Sequence, residues 1–139
     1  MKNSQGDSMA KIVEINSSHE IKNEVLHERY LKGKSPKTRN FIVSLDGTEA
    51  GLLIYEDWGK LEGFIFEIFV LKMFRKNGIG SWILSEAERI AADLSHVKIR
   101  LDARSLDLDE QNHEELATWY QRKGYIRVNI EIGTLEKTL

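Results

Sequence analysis

Hydrophobic and polar positions change period in the middle of the chain, between Glu67 and Ala91. Before Met73, aromatic and branched residues follow one another almost without interruption, which is typical of a buried strand. These residues are Phe64, Ile65, Phe66, Ile68, Phe69, Val70 and Leu71. After Gly78, apolar residues recur at helical spacing and predict one buried helix face. They are Ile79, Ile83, Ala87, Ile90 and Leu94. This stretch therefore predicts a strand, a short turn and a helix in succession.

The rest of the chain predicts an α/β fold built from the same two patterns. Strands are predicted over residues 10–16, 41–45, 50–55, 64–71 and 97–103, with one long or two short strands over 125–136. Helices are predicted after the capping pair Ser17 and Glu20, after Gly78, and over residues 111–123, where Asn112 and Glu115 form a second capping pair. Hairpin turns are expected at Asp46-Gly47 and at residues 57–60. We expect a parallel strand pair joined through the central helix.

These elements predict one domain over residues 9–139, preceded by a polar tail at residues 1–8. The expected fold class is α/β (α+β), with a mixed central sheet of six to seven strands flanked by about three helices.

The turn between the central strand and helix has the chemistry of an anion site. It reads Arg75-Lys76-Asn77-Gly78-Ile79-Gly80. The first N–H groups of a helix have no partner within it and lie at the positive end of its dipole. The two glycines would let a phosphate approach the backbone, and the basic pair would add charge. A plain loop with solvated cations is the alternative. The spacing of a phosphate-loop NTPase and that of a Rossmann dinucleotide site are both absent.

Composition narrows the classes of function. The 139 residues are 41% hydrophobic and 30% charged, an ordinary globular mixture, and the formal net charge of −2 gives no basic field for nucleic acid. No apolar run has membrane-spanning length, so no membrane partner is expected. The absence of cysteine excludes disulfides and thiolate nucleophiles, and it favours a reducing, cytoplasmic location. The four histidines lack ligand spacing, so no metal is expected.

The spacing Arg75-x-x-Gly78-x-Gly80, with the strand before it and the helix after it, resembles the R-x-x-G-x-G loop of the GNAT superfamily of N-acetyltransferases. The predicted order of elements is also similar to the GNAT fold over nearly all of residues 10–137. The resemblance implies that this loop holds the pyrophosphate of acetyl-coenzyme A. The coenzyme-binding residues that it implies are Ile68, Phe69, Val70, Arg75, Lys76, Asn77, Gly78, Ile79, Gly80, Ser81 and His113.

A second stretch, HEELATWYQRKGYI at residues 113–126, resembles the family's N-x-x-A-x-x-F-Y-x-K-x-G-F signature. Tyr120 matches the tyrosine and Gly124 the glycine, whereas His113 stands where asparagine is usual and Leu116 where alanine is usual. The resemblance implies that Tyr120 returns a proton to the leaving thiolate. A phenol, with a pKa of about 10, is protonated at neutral pH and can donate. The alternative is that Tyr120 only fills the core.

The general base has several candidates. Glu67 matches an acidic position common in the family's fourth strand, and it would take a proton from the amine through water. The alternative is that Glu67 is a strand residue that faces solvent or pairs with a neighbouring cation. The other candidate carboxylates are Glu56, Asp57, Glu62, Asp107, Asp109 and Glu110.

The expected activity is transfer of an acetyl group from acetyl-coenzyme A to a primary amine in a ternary complex. The alternative is a non-catalytic module that binds or senses acyl-coenzyme A. The expected partners are the coenzyme and an amine acceptor, and a homodimer is left open.

Overall fold

The structure is a computed structural model that describes residues 9–106, 111–129 and 133–139. The predicted tail at residues 1–8 lies outside the described residues. In chain order the elements are β1 (Ala10–Ile15), a 3₁₀ turn (Ser18–Glu20), α1 (Glu24–Gly33), β2 (Thr38–Leu45), β3 (Thr48–Gly59), β4 (Glu62–Val70), a second 3₁₀ turn (Lys72–Phe74), α2 (Ile79–Asp93), β5 (Lys98–Asp102), α3 (His113–Arg122), β6 (Ile126–Asn129) and β7 (Thr134–Thr138).

The strands of the described residues form a seven-stranded mixed sheet in the order β1-β2-β3-β4-β5-β7-β6. β1 is antiparallel to β2, and β5 and β6 are both antiparallel to β7. β4 is parallel to β5, as expected for two strands joined through α2. The predicted fold class is therefore confirmed. The last segment forms two strands, and β7 lies between β5 and β6.

The structure matches the two predicted hairpin turns to different extents. Asp46 and Gly47 both have positive φ, 52° and 82°, as a tight hairpin turn requires, so this turn is confirmed. β3 continues through Gly59, and the second turn is at Gly59, Lys60 and Leu61, whose φ angles are 72°, 52° and 66°. It overlaps the predicted turn at Gly59 and Lys60 and extends to Leu61. Gly59 is the local turn signal, whereas Lys60 and Leu61 are neither glycine nor asparagine.

The first helix begins later than predicted. Ser17 and Glu20 do form a capping box, but it caps only the 3₁₀ turn. Ile21 then becomes extended, and α1 starts at Glu24. Asn23 is its N-cap, and its side chain accepts hydrogen bonds from the Val25 and Leu26 N–H groups, both at 3.0 Å. Asparagine is among the preferred N-cap residues, and α1 therefore has its N-cap at Asn23 and not at the predicted Ser17.

The chain divides into two compact units, of which the first comprises the described residues up to Ile54 together with Glu67–Glu86. Its core joins α1 to strand residues, and burying each large apolar side chain contributes about 1.5–3 kcal/mol. The core residues are Ile15, Ile21, Leu26, Tyr30, Ile42, Leu52, Ile54 and Leu71, with Phe69 and Phe74 partly buried against them. This unit contains the predicted phosphate loop.

The second unit comprises Tyr55–Phe66 and the described residues from Ala87 onward. A hydrogen-bonded chain leads from its core to the surface: the hydroxyl of buried Tyr55 lies 2.7 Å from Nδ1 of buried His96, and Nε2 of His96 lies 2.9 Å from Oδ1 of exposed Asp57. A Cβ at Gly63 would lie only 1.8 Å from the Tyr55 hydroxyl oxygen, so glycine is required for this close approach. The second unit contains α3 and Tyr120.

Candidate active site

The junction between β4 and α2 has the predicted form. After the second 3₁₀ turn, residues 75–78 make a turn, and the first bond of the α2 helix runs from the Trp82 N–H to the Gly78 carbonyl at 3.0 Å. α1 and α3 both begin at an asparagine whose side chain accepts from the helix N–H groups. α2 begins at Gly78, which has no side chain. In the described part of the chain, no side chain accepts from the N–H groups of Ile79, Gly80 or Ser81. These donors, at the positive end of the dipole, suit an anion.

The space in front of the junction is open. Gly78 has φ of +78°, and a Cβ built on it would meet nothing within 4 Å. Glycine takes this backbone conformation without strain, and the space that a side chain on Gly78 would enter is empty. Lys76 and Asn77 are exposed beside it, and Lys76 also has positive φ, 69°.

The Arg75 side chain folds back toward β4. Its Nε donates to the Val70 carbonyl at 2.8 Å, and its guanidinium lies 5.5 Å from the centre of the Phe69 ring. Arg75 therefore ties the loop to the end of the strand that precedes it. Its predicted contact with the coenzyme stays a prediction.

The end of β4 is more exposed than the sequence indicated. Ile65 and Leu71 are buried, but Phe66 is 49% exposed and residues 68–70 are half-buried. The prediction of a fully buried strand was wrong here. The parallel ladder with β5 runs from Glu62↔Lys98 to Ile65↔Leu101, and β4 continues beyond it to Val70. The apolar side chains and backbone of Ile68, Phe69 and Val70 thus line an incompletely covered strand end, a suitable surface for an extended ligand.

Glu67 lies on this strand end and is buried, with 8% exposure. Both of its carboxylate oxygens accept hydrogen bonds from Arg29 of α1: Oε2 from Nε at 2.8 Å and Oε1 from Nη2 at 2.7 Å. The hydrogen bond to Glu67 raises the pKa of the Arg29 guanidinium. Sequence reasoning missed Arg29, because the two residues are 38 apart in the chain and no local spacing connects them.

Tyr120 lies in the second unit, on the buried face of α3, and is 6% exposed. Its ring makes edge-to-face contacts with Trp119 and Tyr125, at centroid distances of 4.9 and 5.7 Å. Burial raises the pKa of the Tyr120 phenol, because the charged phenolate would lose its hydration. The hydroxyl is therefore a neutral, protonated group at physiological pH, as an acid must be before it donates.

The start of α3 confirms the predicted capping pair of Asn112 and Glu115. His113 follows at the first helical position, and its Nδ1 accepts a hydrogen bond from the Ser105 N–H at 2.8 Å. His113 thus holds the loop after β5, and its predicted contact with the coenzyme remains a prediction.

The other candidate bases already interact with neighbours. Glu56 accepts from the Trp58 indole at 3.3 Å, Asp57 is bonded to His96, and Glu62 lies 3.9 Å from Arg100. The candidates Asp107, Asp109 and Glu110 lie outside the described residues.

The structure also bears on the expectations about metal ions and membranes. Within residues 9–106, 111–129 and 133–139, no group of three or more His, Asp or Glu side chains has a geometry that could hold a metal ion. Among the same residues, no helix combines the length and the apolar character needed to cross a membrane.

The comparison that decides the family is with a family model. The model described as "Acetyltransferase (GNAT) domain" matches residues 36–127, which include β4, the glycine junction and all of α3. The chain belongs to the GNAT acetyltransferase family. A comparison with curated proteins gives no match.

Solved structures agree with the GNAT fold. An IAA acetyltransferase from Bacillus cereus ATCC 14579 has a TM-score of 0.68 at 16% identity, over 94% of this chain and 100% of that one. A GNAT acetyltransferase from Elizabethkingia anophelis with acetyl-CoA bound has a TM-score of 0.66 at 14% identity, over 94% and 98%. The ribosomal-protein-S18-alanine N-acetyltransferase from Escherichia coli has a TM-score of 0.66 at 12% identity, over 94% of each. At these identities the likeness concerns the fold.

Proposed function

We propose that this GNAT protein is an N-acetyltransferase that moves an acetyl group from acetyl-CoA to a primary amine. The observation that carries the proposal is the start of α2, which follows directly on Gly78, a residue without a side-chain cap, where an added Cβ would meet nothing within 4 Å. A pyrophosphate supplies the acceptors and the negative charge that this helix start lacks. The acetyl-CoA in the Elizabethkingia relative supports the same cosubstrate.

The reaction proposed is direct attack in a ternary complex. The neutral amine nitrogen forms a bond to the thioester carbon, and backbone N–H groups at the end of β4 stabilise the resulting oxyanion. The carbon–sulfur bond then breaks, the amide forms, and the thiolate takes a proton from Tyr120. The nitrogen loses its extra proton to Glu67, directly or through water. The chain has no cysteine, so a cysteine acyl-enzyme is excluded.

An acceptor screen tests the proposal. Wild-type protein would be incubated with acetyl-CoA and, separately, spermidine, kanamycin and a peptide with an N-terminal alanine, while released thiol is measured. The peptide is included because the Escherichia coli relative is a ribosomal-protein-S18-alanine N-acetyltransferase. Release of thiol that depends on one of these amines supports the proposal.

The same experiment separates the enzyme from a coenzyme-sensing module. Such a module would be stabilised by CoA, since a ligand bound only to the folded state raises stability by RT ln(1 + [L]/Kd). It would release no thiol with any amine. If CoA does not stabilise the protein and no amine gives thiol release, the protein is neither an acetyltransferase for these amines nor a coenzyme-sensing module.

Glu67→Gln gives a prediction with a defined pH dependence. Glutamine keeps the size of the side chain but cannot accept the proton, so kcat/KM should fall most at low pH, where few amines are already neutral. The loss should shrink as the pH rises, because water then deprotonates the amine. The measurement is kcat/KM for the acceptor from about pH 6 to pH 10, a range over which the neutral fraction of an ordinary amine rises steeply. A loss of equal size at every pH would remove the base role, and a raised acceptor KM at every pH would indicate an anchor instead.

A further inference from the structure

The pairing of Arg29 with Glu67 is a planar, two-bond contact. The guanidinium Nε and Nη2 donate to separate carboxylate oxygens at 2.8 and 2.7 Å. The side chain of Glu67 is only 6% exposed and that of Arg29 is 25% exposed. This fork fixes both the position and the plane of the carboxylate, which a single point charge such as lysine would not do.

The two hydrogen bonds from Arg29 do not occupy all the acceptor sites of the Glu67 carboxylate. Two oxygens offer about four lone-pair sites, and Arg29 takes one on each oxygen. About two sites therefore stay available to accept a proton or a hydrogen bond. An ionised Glu67 held in one orientation is better prepared for this than one that must be ordered during the reaction.

Phe69 connects this ion pair to the phosphate loop. Its ring centre lies 5.4 Å from the guanidinium carbon of Arg29 and 5.5 Å from that of Arg75. Cations at this distance from an aromatic ring are attracted to it. The ion pair is thus packed against the strand end from which the glycine loop departs.

We propose that Arg29 is a positioning residue for acetyl transfer: it holds the Glu67 carboxylate in the orientation from which Glu67 acts on the acceptor amine. The inference rests on the proposed function, and it adds a residue from α1 to the residues of β4 and the glycine loop that the proposed function uses. It also accounts for the buried carboxylate of Glu67. Each of its oxygens accepts one hydrogen bond from Arg29 and has a further lone pair.

The chain offers a matched control in Arg39. Its Nε and Nη2 donate to the two oxygens of Glu14 at 2.9 and 2.8 Å, and its guanidinium lies 5.5 Å from the ring centre of Phe41. This contact has the same geometry as that of Arg29, but it joins β1 to β2 and is more exposed. A general effect of losing an arginine fork would appear in both variants.

The test measures kcat, the KM for acetyl-CoA and the melting temperature of the wild-type protein and four variants, with the most reactive amine among spermidine, kanamycin and the alanine peptide. The variants are Arg29→Lys, Glu67→Gln, their combination, and Arg39→Lys. We expect Arg29→Lys to lower kcat by about 10–100-fold, because moving a reacting group slightly out of place can lower the reaction rate by such a factor. The KM for acetyl-CoA should stay within about twofold, and Arg39→Lys should change neither constant.

The combined variant decides whether Arg29 acts through Glu67. If it does, adding Arg29→Lys to Glu67→Gln should lower kcat by less than about threefold more, a strong departure from additivity. If Arg29→Lys does not fold, Arg29→Gln with Glu67→Gln takes its place, because two neutral amides leave no unpaired buried charge, and it should match Glu67→Gln alone.

Three results would overturn the inference. They are an unchanged kcat in Arg29→Lys, losses that multiply in the combined variant, and a raised KM for acetyl-CoA with kcat intact, which would place Arg29 in coenzyme binding. A wild-type protein that acetylates none of the three amines would remove the proposed function and this inference together, whereas the other results leave the proposed function standing.

Discussion

Replacing Tyr120 by phenylalanine is expected to lower kcat by roughly 10²–10⁴-fold, the range typical of a lost general acid. The ring and its contacts with Trp119 and Tyr125 are kept, and only the proton donor is removed. The affinity for CoA should therefore change little. The measurement is steady-state kinetics with calorimetric titration of CoA.

Tyr125→Phe is the matched control, since Tyr125 is also buried and belongs to the same aromatic cluster. Its hydroxyl donates to Glu88 at 2.9 Å, so this variant should lose about 1.5–3 kcal/mol of stability and keep its kcat. An unchanged kcat in Tyr120→Phe would show that Tyr120 serves packing alone.

The raised pKa of Tyr120 leads to a prediction about how kcat varies with pH. A phenol whose pKa is raised stays protonated to a higher pH than usual, so its donating form persists. The wild-type kcat should therefore show no decline attributable to Tyr120 up to about pH 10, the ordinary phenol pKa.

Changing the glycines of the phosphate loop should give the second large effect. Gly78→Ala places a methyl group in the open space before the N–H groups of α2, and it should weaken acetyl-CoA binding by about tenfold or more, or about 1.4 kcal/mol. Gly80→Leu, on the first helical turn, should weaken binding as well, although leucine is a better helix former than glycine. Both affinities would be measured by calorimetry.

Gly47 provides a control that distinguishes an effect on coenzyme binding from an effect of backbone strain. Like Gly78, it has positive φ, and a Cβ on it would meet nothing within 4 Å. Gly47→Ala and Gly78→Ala should therefore lose similar stability, about 1–2 kcal/mol for a left-handed residue. Only Gly78→Ala should lose affinity for the coenzyme. Equal affinities in the two variants would show that the pyrophosphate does not bind at this helix start.

The glycine junction could be predicted because its signals are local. The change of period at Gly78 indicates where α2 begins. The capping pair of Asn112 and Glu115 is local in the same sense, and so is the Asp46-Gly47 turn.

The features that were missed depend on residues distant in the chain. The contact of Arg29 with Glu67 joins a helix to a strand 38 residues away. The exposure at the end of β4 arises because the ladder with β5 stops at Ile65, and no property of residues 66–70 reveals where their neighbour ends. The insertion of β7 between β5 and β6 is also a choice of pairing partner, which periodicity does not encode.

The central claim is that the acetyl group leaves the coenzyme for an amine. The most direct test supplies acetyl-CoA labelled in the acetyl carbon, with each of the three amines, and follows both free thiol and labelled amide by mass spectrometry. We predict one labelled amide for each thiol released, at a rate that falls sharply in Tyr120→Phe. A protein that binds acetyl-CoA but transfers no label to any of these amines would contradict the claim and would instead be a coenzyme-binding module.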